Sequence, residues 1–188
     1  RGFPGSHSLD LLHQSLDVFL KTGILRSPTF DKSLRDGKGD RSGWCELKSK
    51  ILILEGWFVG CEPVSDLNNI DSLSEDKFNL SLSQDEKDYR SLIQESLIKY
   101  SKIWKKFDKI WHLKSSHFNN TILWKTQQEE EMIKIRGSGL KGNNLTDFIR
   151  MIQSSIPQQS LSFINADTTV QINQHRRIDK LLTTNYHF

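Results

Sequence analysis

A lone carboxylate ends the longest aliphatic run of the chain, Lys50-Ile51-Leu52-Ile53-Leu54-Glu55-Gly56-Trp57-Phe58-Val59-Gly60. Four apolar residues without alternation read as a strand buried on both faces, the kind a parallel α/β sheet needs. In open α/β sheets the carboxyl ends of strands face the ligand crevice, so Glu55 is expected beside substrate and metal, with Gly56 and Gly60 letting the backbone turn sharply. The plainer reading is a solvated residue at a strand end. A second concentration of charge, Asp31, Lys32, Lys38, Asp40 and Arg41, lies in the glycine-rich stretch Arg26 to Gly43. Cations in such a loop can hold a substrate carboxylate or a moving phosphoryl group. Arg41 is the strongest candidate, because a guanidinium grips either anion with two parallel hydrogen bonds.

The elements that must position these groups follow from periodicity. Residues 8 to 21 place Leu9, Leu12, Leu16 and Phe19/Leu20 on one helical face, with Ser8 as N-cap and Asp10 in the first turn. Residues 26 to 43 read as irregular, since Pro28 excludes a central strand and Asp36-Gly37 and Gly39-Asp40 mark turns. Residues 62 to 85 form a polar surface excursion. Tyr89, Ile93, Leu97, Tyr100, Trp104, Phe107 and Trp111 then recur every three or four residues as a helical stripe, with Lys99, Lys102, Lys105 and Lys106 mostly on the wet side. A second long helix runs from Asn120 to Arg136 and stops at Gly137-Ser138-Gly139-Leu140-Lys141-Gly142. That run matches the dinucleotide fingerprint only formally, because it follows a charged helix instead of a strand. Asn144 is the expected cap of a shorter helix stopped by Pro157, and Thr168 to Ile172 reads as a late strand with Arg176 and Arg177 beyond its carboxyl end.

A chain of 188 residues, without internal repeat or low-complexity linker, suits one domain, 1–188. Its net charge of +3 fits an enzyme that handles anions and falls short of the basic extreme that nucleic-acid binders reach. Cys45 and Cys61 are the only cysteines, so neither a disulfide framework nor a zinc cluster is supported, and a reducing, cytoplasmic setting is expected. No apolar run has the length to span a bilayer, and membranes are not expected among the partners.

Several landmarks fall in a fixed order: Arg1-Gly2-Phe3-Pro4-Gly5-Ser6-His7, Pro28-Thr29-Phe30-Asp31-Lys32-Ser33, Gly39-Asp40-Arg41 with Trp44, and Glu55-Gly56-Trp57. After them come Trp124, Gln128 and Glu129, and then Asn173-Gln174-His175-Arg176-Arg177-Ile178. This order resembles the D-glycerate 3-kinase-like P-loop kinases, distant cousins of uridine kinase, phosphoribulokinase and pantothenate kinase, over nearly the whole chain. The resemblance implies an α/β domain with a parallel sheet and flanking helices. It implies ATP and Mg²⁺ as cofactors and transfer of the γ-phosphate to a small hydroxy acid, D-glycerate first. Arg1, His7, Asp31, Lys32 and Asp40 would bind the acceptor, and Glu55 and Arg41 would be catalytic, Glu55 toward the metal. Arg136, Arg176 and Arg177 would serve the nucleotide, and residues 114–143 would form a lid. The Gly-x-x-x-x-Gly-Lys-Ser/Thr phosphate loop is absent from this sequence; Gly137 and Gly142 have the spacing, but Asn143-Asn144 follows them. The expectation is therefore the C-terminal portion of such a kinase, without its first βαβ unit. A non-catalytic remnant or interaction module of the same fold is the rival from another class, and a nucleic-acid binder using the Lys/Trp helix is a weaker third.

Overall fold

The computed structural model describes residues 2–64, 81–117, 119–162 and 164–184, so Arg1 and most of the 62–85 excursion lie outside the described residues. Two compact units divide the chain, Arg1–Val59 and Gly60–Phe188.

In the first unit, helix α1 (Leu9–Thr22) ends on Gly23 in the left-handed region, φ 71°. A Cβ at Gly23 would lie 3.0 Å from the Ser49 carbonyl oxygen, so the residue is required both for its conformation and for its small size. Ser8 occupies the N-cap position, though its hydroxyl makes no capping bond. Strands β1 (Ile24–Asp31) and β2 (Asp40–Lys48) form an antiparallel hairpin where the sequence reads as irregular loop. Pro28 is tolerated because each strand of a two-stranded ribbon keeps an open edge, and a register shift at Thr29/Phe30 absorbs the irregularity. α1 packs on β1, with the Ser15 hydroxyl donating to the Arg26 carbonyl at 2.8 Å.

The strand expected at Ile51 to Leu54 is not formed. Among the described residues no strand pairs with this segment; Ile51 and Ile53 are 75% and 84% exposed, and Leu52 and Leu54 half-buried. An uninterrupted apolar run records what a strand would bury on both faces, but it supplies neither neighbour. Beyond it Trp57 makes edge contacts with Phe3 and Phe58 at 5.3 and 5.4 Å, and its indole N–H donates to the Gly2 carbonyl at 2.8 Å.

The second unit carries a three-stranded sheet in the order β3 (Trp111–Ser115), β4 (Thr168–Ile172), β5 (Ile178–Thr183). β3 and β4 are parallel, as the α/β reading requires, and the unforeseen β5 returns antiparallel. Helix α2 (Gln84–Trp104) opens on a full capping box between Ser83 and Glu86. It buries Ile93, Leu97, Tyr100, Ile103 and Trp104. Its Trp104 indole stacks on Tyr100 and donates to the Cys61 carbonyl, so this aromatic stripe is core. The helix stops at Trp104 and a strand begins at Trp111, so Phe107 and Trp111 lie beyond the helix that their spacing extends; Trp111 is exposed. Helix α3 (Asn119–Arg136) matches its expected span. Helix α4 (Gly142–Ser155) begins at Gly142, so Asn144 sits inside its first turn instead of capping it. A short helix α5 (Gln158–Ser162) follows Pro157. No helix among the described residues is long and apolar enough to cross a membrane.

α2 packs on α4, and their tie is an arginine fork: Arg150 Nε and Nη2 donate to Glu86 Oε1 and Oε2, both at 2.6 Å. The hydrogen bonds from Arg150 draw the Glu86 carboxyl down to about 2. A carboxyl held below its unfolded value stabilises the fold above that value, and the contribution is lost as pH falls through the folded one. Solvent reaches both side chains, so the contribution is about 1–2 kcal/mol. Arg150→Ala should lower stability by that amount at pH 7 and flatten the loss expected of the parent between about pH 4.5 and 2, which urea titrations of both proteins across that range would check.

Candidate functional site

The tip of the β1–β2 hairpin gathers four of the residues singled out by the sequence. Asp31 and Asp40 face each other as the last register pair, Arg41 lies opposite Phe30, and Lys32 starts the connecting loop. Asp31 Oδ1 accepts from the backbone N–H of Ser33 at 2.8 Å and from its hydroxyl at 2.6 Å, and these bonds hold its carboxyl below the usual range. Asp40 accepts from its neighbour's N–H, Arg41 N, at 2.8 Å and pairs with Arg35 at 2.9 Å. Both carboxylates are thus committed to shaping the turn. Arg35 and Asp36, both at φ 54°, and Gly37, at φ 81°, run three successive residues through the left-handed region, a conformation that costs energy at the two non-glycine positions. The side chains of Lys32 and Arg41 are exposed and, among the described residues, take no partner. Two cations on a tip braced by its acids make an anion-receiving surface.

Glu55 and His7 belong to the same unit but not to the tip. Glu55 is exposed, and its carboxylate takes no partner among the described residues. Gly56 after it admits no Cβ, which would fall 2.9 Å from Val59 Cγ2. His7 lies against Phe58, ring centroids 5.9 Å apart, and burial pulls its pKa below the usual value, so it is neutral at pH 7. A neutral imidazole offers one donor and one acceptor but adds no charge to an anion site.

In the second unit the late landmarks meet. The turn between β4 and β5 is organised by Asn173, whose Oδ1 accepts from the N–H groups of His175 and Arg177 while its Nδ2 donates to Asp179 Oδ1. Arg176 stands at φ 59°. Its guanidinium carbon lies 5.8 Å from the Trp124 ring centroid, and the Trp124 indole N–H donates to the Gln174 carbonyl at 2.8 Å. Trp124 from α3 and Arg176 from the turn thus form a stacked cation–aromatic pair at the carboxyl end of β4, where Arg177 is also exposed. Arg136 is not part of it. It ends α3 twelve residues beyond Trp124, roughly 18 Å along the axis at 1.5 Å per residue.

The sequence reading takes Glu129 only as a landmark of the resemblance and assigns it no role, yet it is the buried carboxylate of α3. Glu129 is 2% exposed, pairs with Lys125 Nζ at 2.5 Å, and accepts the Leu140 N–H at 2.8 Å. Burial pushes its pKa up, and those two donors outweigh that and hold it below the ordinary value. The i,i+4 spacing from Lys125 was the available signal.

A parallel pair joined by a helical crossover, with a late antiparallel strand beside it, makes an α/β architecture, and the fold matches that of a solved glycerate kinase. D-glycerate 3-kinase from Cryptococcus neoformans var. grubii superposes with a TM-score of 0.83 at 24% identity, covering 98% of this chain and 69% of that one. A solved structure of the YGR205w protein matches with a TM-score of 0.70 at 26% identity, over 100% of this chain and 68% of that one. In sequence, the chain is related to the probable ATP-dependent kinase TDA10 of Saccharomyces cerevisiae, 26% identical over 182 residues. The match covers 89% of this chain and 58% of that relative, so the chain spans somewhat over half the relative's length. No family model matches.

Proposed function

We propose that this chain supplies acceptor-binding and nucleotide-contacting elements of an ATP-dependent kinase for a small hydroxy acid, with D-glycerate as the first candidate. The observation that carries the reading is the hairpin tip: two available cations, Lys32 and Arg41, on a loop whose own carboxylates are engaged in holding its shape. An acidic acceptor needs such a surface, and phosphoryl transfer consists largely of positioning and charge neutralisation. Arg41 would grip the acceptor carboxylate or the moving phosphoryl group, with Lys32 adding charge and neutral His7 offering a hydrogen bond. The Trp124–Arg176 pair, with Arg177 beside it, would serve the nucleotide: an aromatic face for the base and guanidinium groups for negative charge. Arg136 and residues 114–143 would act as the lid, moving on the glycines that follow α3.

Mg²⁺ accompanies ATP in this chemistry, screening charge on the phosphate oxygens. Among the described residues no group of three His, Cys, Asp or Glu side chains could enclose a metal. One exposed carboxylate nevertheless fits Mg²⁺, which commonly takes one or two from the protein and fills its octahedron with phosphate oxygens and water. Glu55 is the residue that would provide it.

A coupled assay with ATP and D-glycerate on the complete polypeptide tests the reading. Turnover with another hydroxy acid alone would move the substrate. No ATP turnover with any small hydroxy compound would leave the remnant or interaction-module reading. Arg41→Ala should raise the KM for the acid acceptor about tenfold or more, the loss of one charged bidentate contact, with the KM for ATP little changed. Wild-type kinetics in that variant would remove Arg41 from the site.

A further inference from the structure

The connector between α3 and α4 is fastened from inside α3. Glu129 shares its buried carboxylate between Lys125 Nζ and the Leu140 N–H. Gly139 lies so close to the helix that a Cβ there would fall 2.9 Å from Ile133 Cγ1 and 3.1 Å from Glu129 Oε2. Lys125 also reaches α4, its ammonium 4.9 Å from the Phe148 ring centroid. One residue before Lys125, Trp124 holds the β4–β5 turn through Gln174 and Arg176. Two joints therefore lie within five residues of one rigid helix, about 7.5 Å along its axis. One ties α3 to the turn, the other to the connector and α4.

We propose that Glu129 is a positioning residue that couples the α3–α4 connector to the Trp124–Arg176 turn and so sets nucleotide affinity; this rests on the kinase reading above. The physical reason is that a buried ionised carboxylate needs both of its donors. Only the closed arrangement supplies the Lys125 ammonium and the Leu140 N–H together, so the joint is either closed or hydrated, with little between. Glu129, Lys125 and Trp124 stand on one rigid helix, so the Leu140 bond to Glu129 and the seat of Lys125 on Phe148 together set how α3 is turned against α4 and the β4–β5 turn. Opening the connector would let α3 turn as a body and disturb the face that Trp124 presents beneath Arg176.

The test uses the complete polypeptide with Glu129→Gln, Lys125→Met and Lys125→Arg. It reads amide exchange at Leu140, the ¹⁵N indole resonance of Trp124, and kinetics with ATP. Glu129→Gln and Lys125→Met should each speed Leu140 exchange at least about tenfold and shift the Trp124 indole signal. Each should also raise the KM for ATP about tenfold with kcat within about a factor of two, while Lys125→Arg stays near wild type in all three. The double variant Lys125→Met/Glu129→Gln should be no worse than either single one, because both remove the same joint. Unchanged Leu140 exchange in both single variants overturns the joint. Faster exchange with an unmoved Trp124 signal reduces Glu129 to local packing and overturns the coupling. If the complete protein turns over no ATP, the kinase reading fails by itself, and the exchange and indole measurements still decide the coupling. Should Glu129→Gln not fold, Lys125→Met carries the same comparison, since Lys125 is the partially exposed partner.

Discussion

Glu55→Gln in the complete protein should lower kcat at least about a hundredfold while moving stability by less than about 0.5 kcal/mol. The two halves of that expectation have separate grounds. The carboxylate is exposed and, among the described residues, bonded to nothing, so replacing one oxygen by an amide removes no contact that the fold uses. A charge that acts on the metal or its waters matters most where phosphoryl charge develops, and its loss falls on kcat more than on KM. Kinetics over a range of Mg²⁺ concentrations, alongside a thermal melt, separate the cases. An unaltered kcat would make Glu55 the solvated end of an extended segment. A destabilised protein with a proportionate loss of active sites would make it structural.

Local patterns made parts of the fold legible. The stripe of Ile93, Leu97, Tyr100 and Trp104 is buried as its spacing requires, and the β-branched run Thr168 to Ile172 is the central strand of its sheet. Where the outcome depends on partners distant in sequence, the same patterns misled. Ile51 to Leu54 has the composition of a doubly covered strand, yet Ile51 and Ile53 stand exposed, because burial belongs to the assembled sheet and not to the segment. The hairpin was hidden by Pro28 and by glycines that, in a two-stranded ribbon, interrupt no central ladder. β5 was hidden because all six of its residues are exposed, so its alternation carries no hydrophobic signal. In the candidate site, the charges at 31, 32, 40 and 41 were readable as a group. That Asp31 and Asp40 brace the turn while Lys32 and Arg41 stay exposed was not, because it depends on the left-handed path through Arg35, Asp36 and Gly37, which composition does not reveal. The joining of Trp124 to Arg176 across 52 positions likewise follows from parallel topology, which no local window contains.

The polypeptide 1–188 by itself should associate with copies of itself or with another strand, and should show no saturable binding of ATP-Mg²⁺ at micromolar concentrations. Ile51 and Ile53 in the first unit are 75% and 84% exposed, and Trp111 and Leu113 in the second are each 67% exposed. Full burial of such a side chain is worth roughly 1.5–3 kcal/mol, and with about three quarters of their surface in water these four forgo roughly 4–9 kcal/mol. A domain of this kind has a net stability of roughly 5–15 kcal/mol, and the forgone amount is of the same order. β3 is an edge strand among the described residues, with its outer row of N–H and C=O groups unpaired by any strand and apolar side chains beside it, which is the pattern that recruits further strands. The N–H and C=O of Ile51 are both bonded to the Ser49 hydroxyl while its side chain and that of Ile53 stand in water, so the drive to associate comes from uncovered side chains more than from unsatisfied amides. Sedimentation should therefore find concentration-dependent oligomers, and a dye that reports exposed apolar surface should fluoresce strongly. Ile53→Lys combined with Leu113→Lys should suppress both effects without restoring nucleotide binding, because a charge on an open strand blocks pairing and supplies no phosphate contact. A monomer with a cooperative melt and micromolar ATP affinity would refute the expectation and make the described strands sufficient for nucleotide binding.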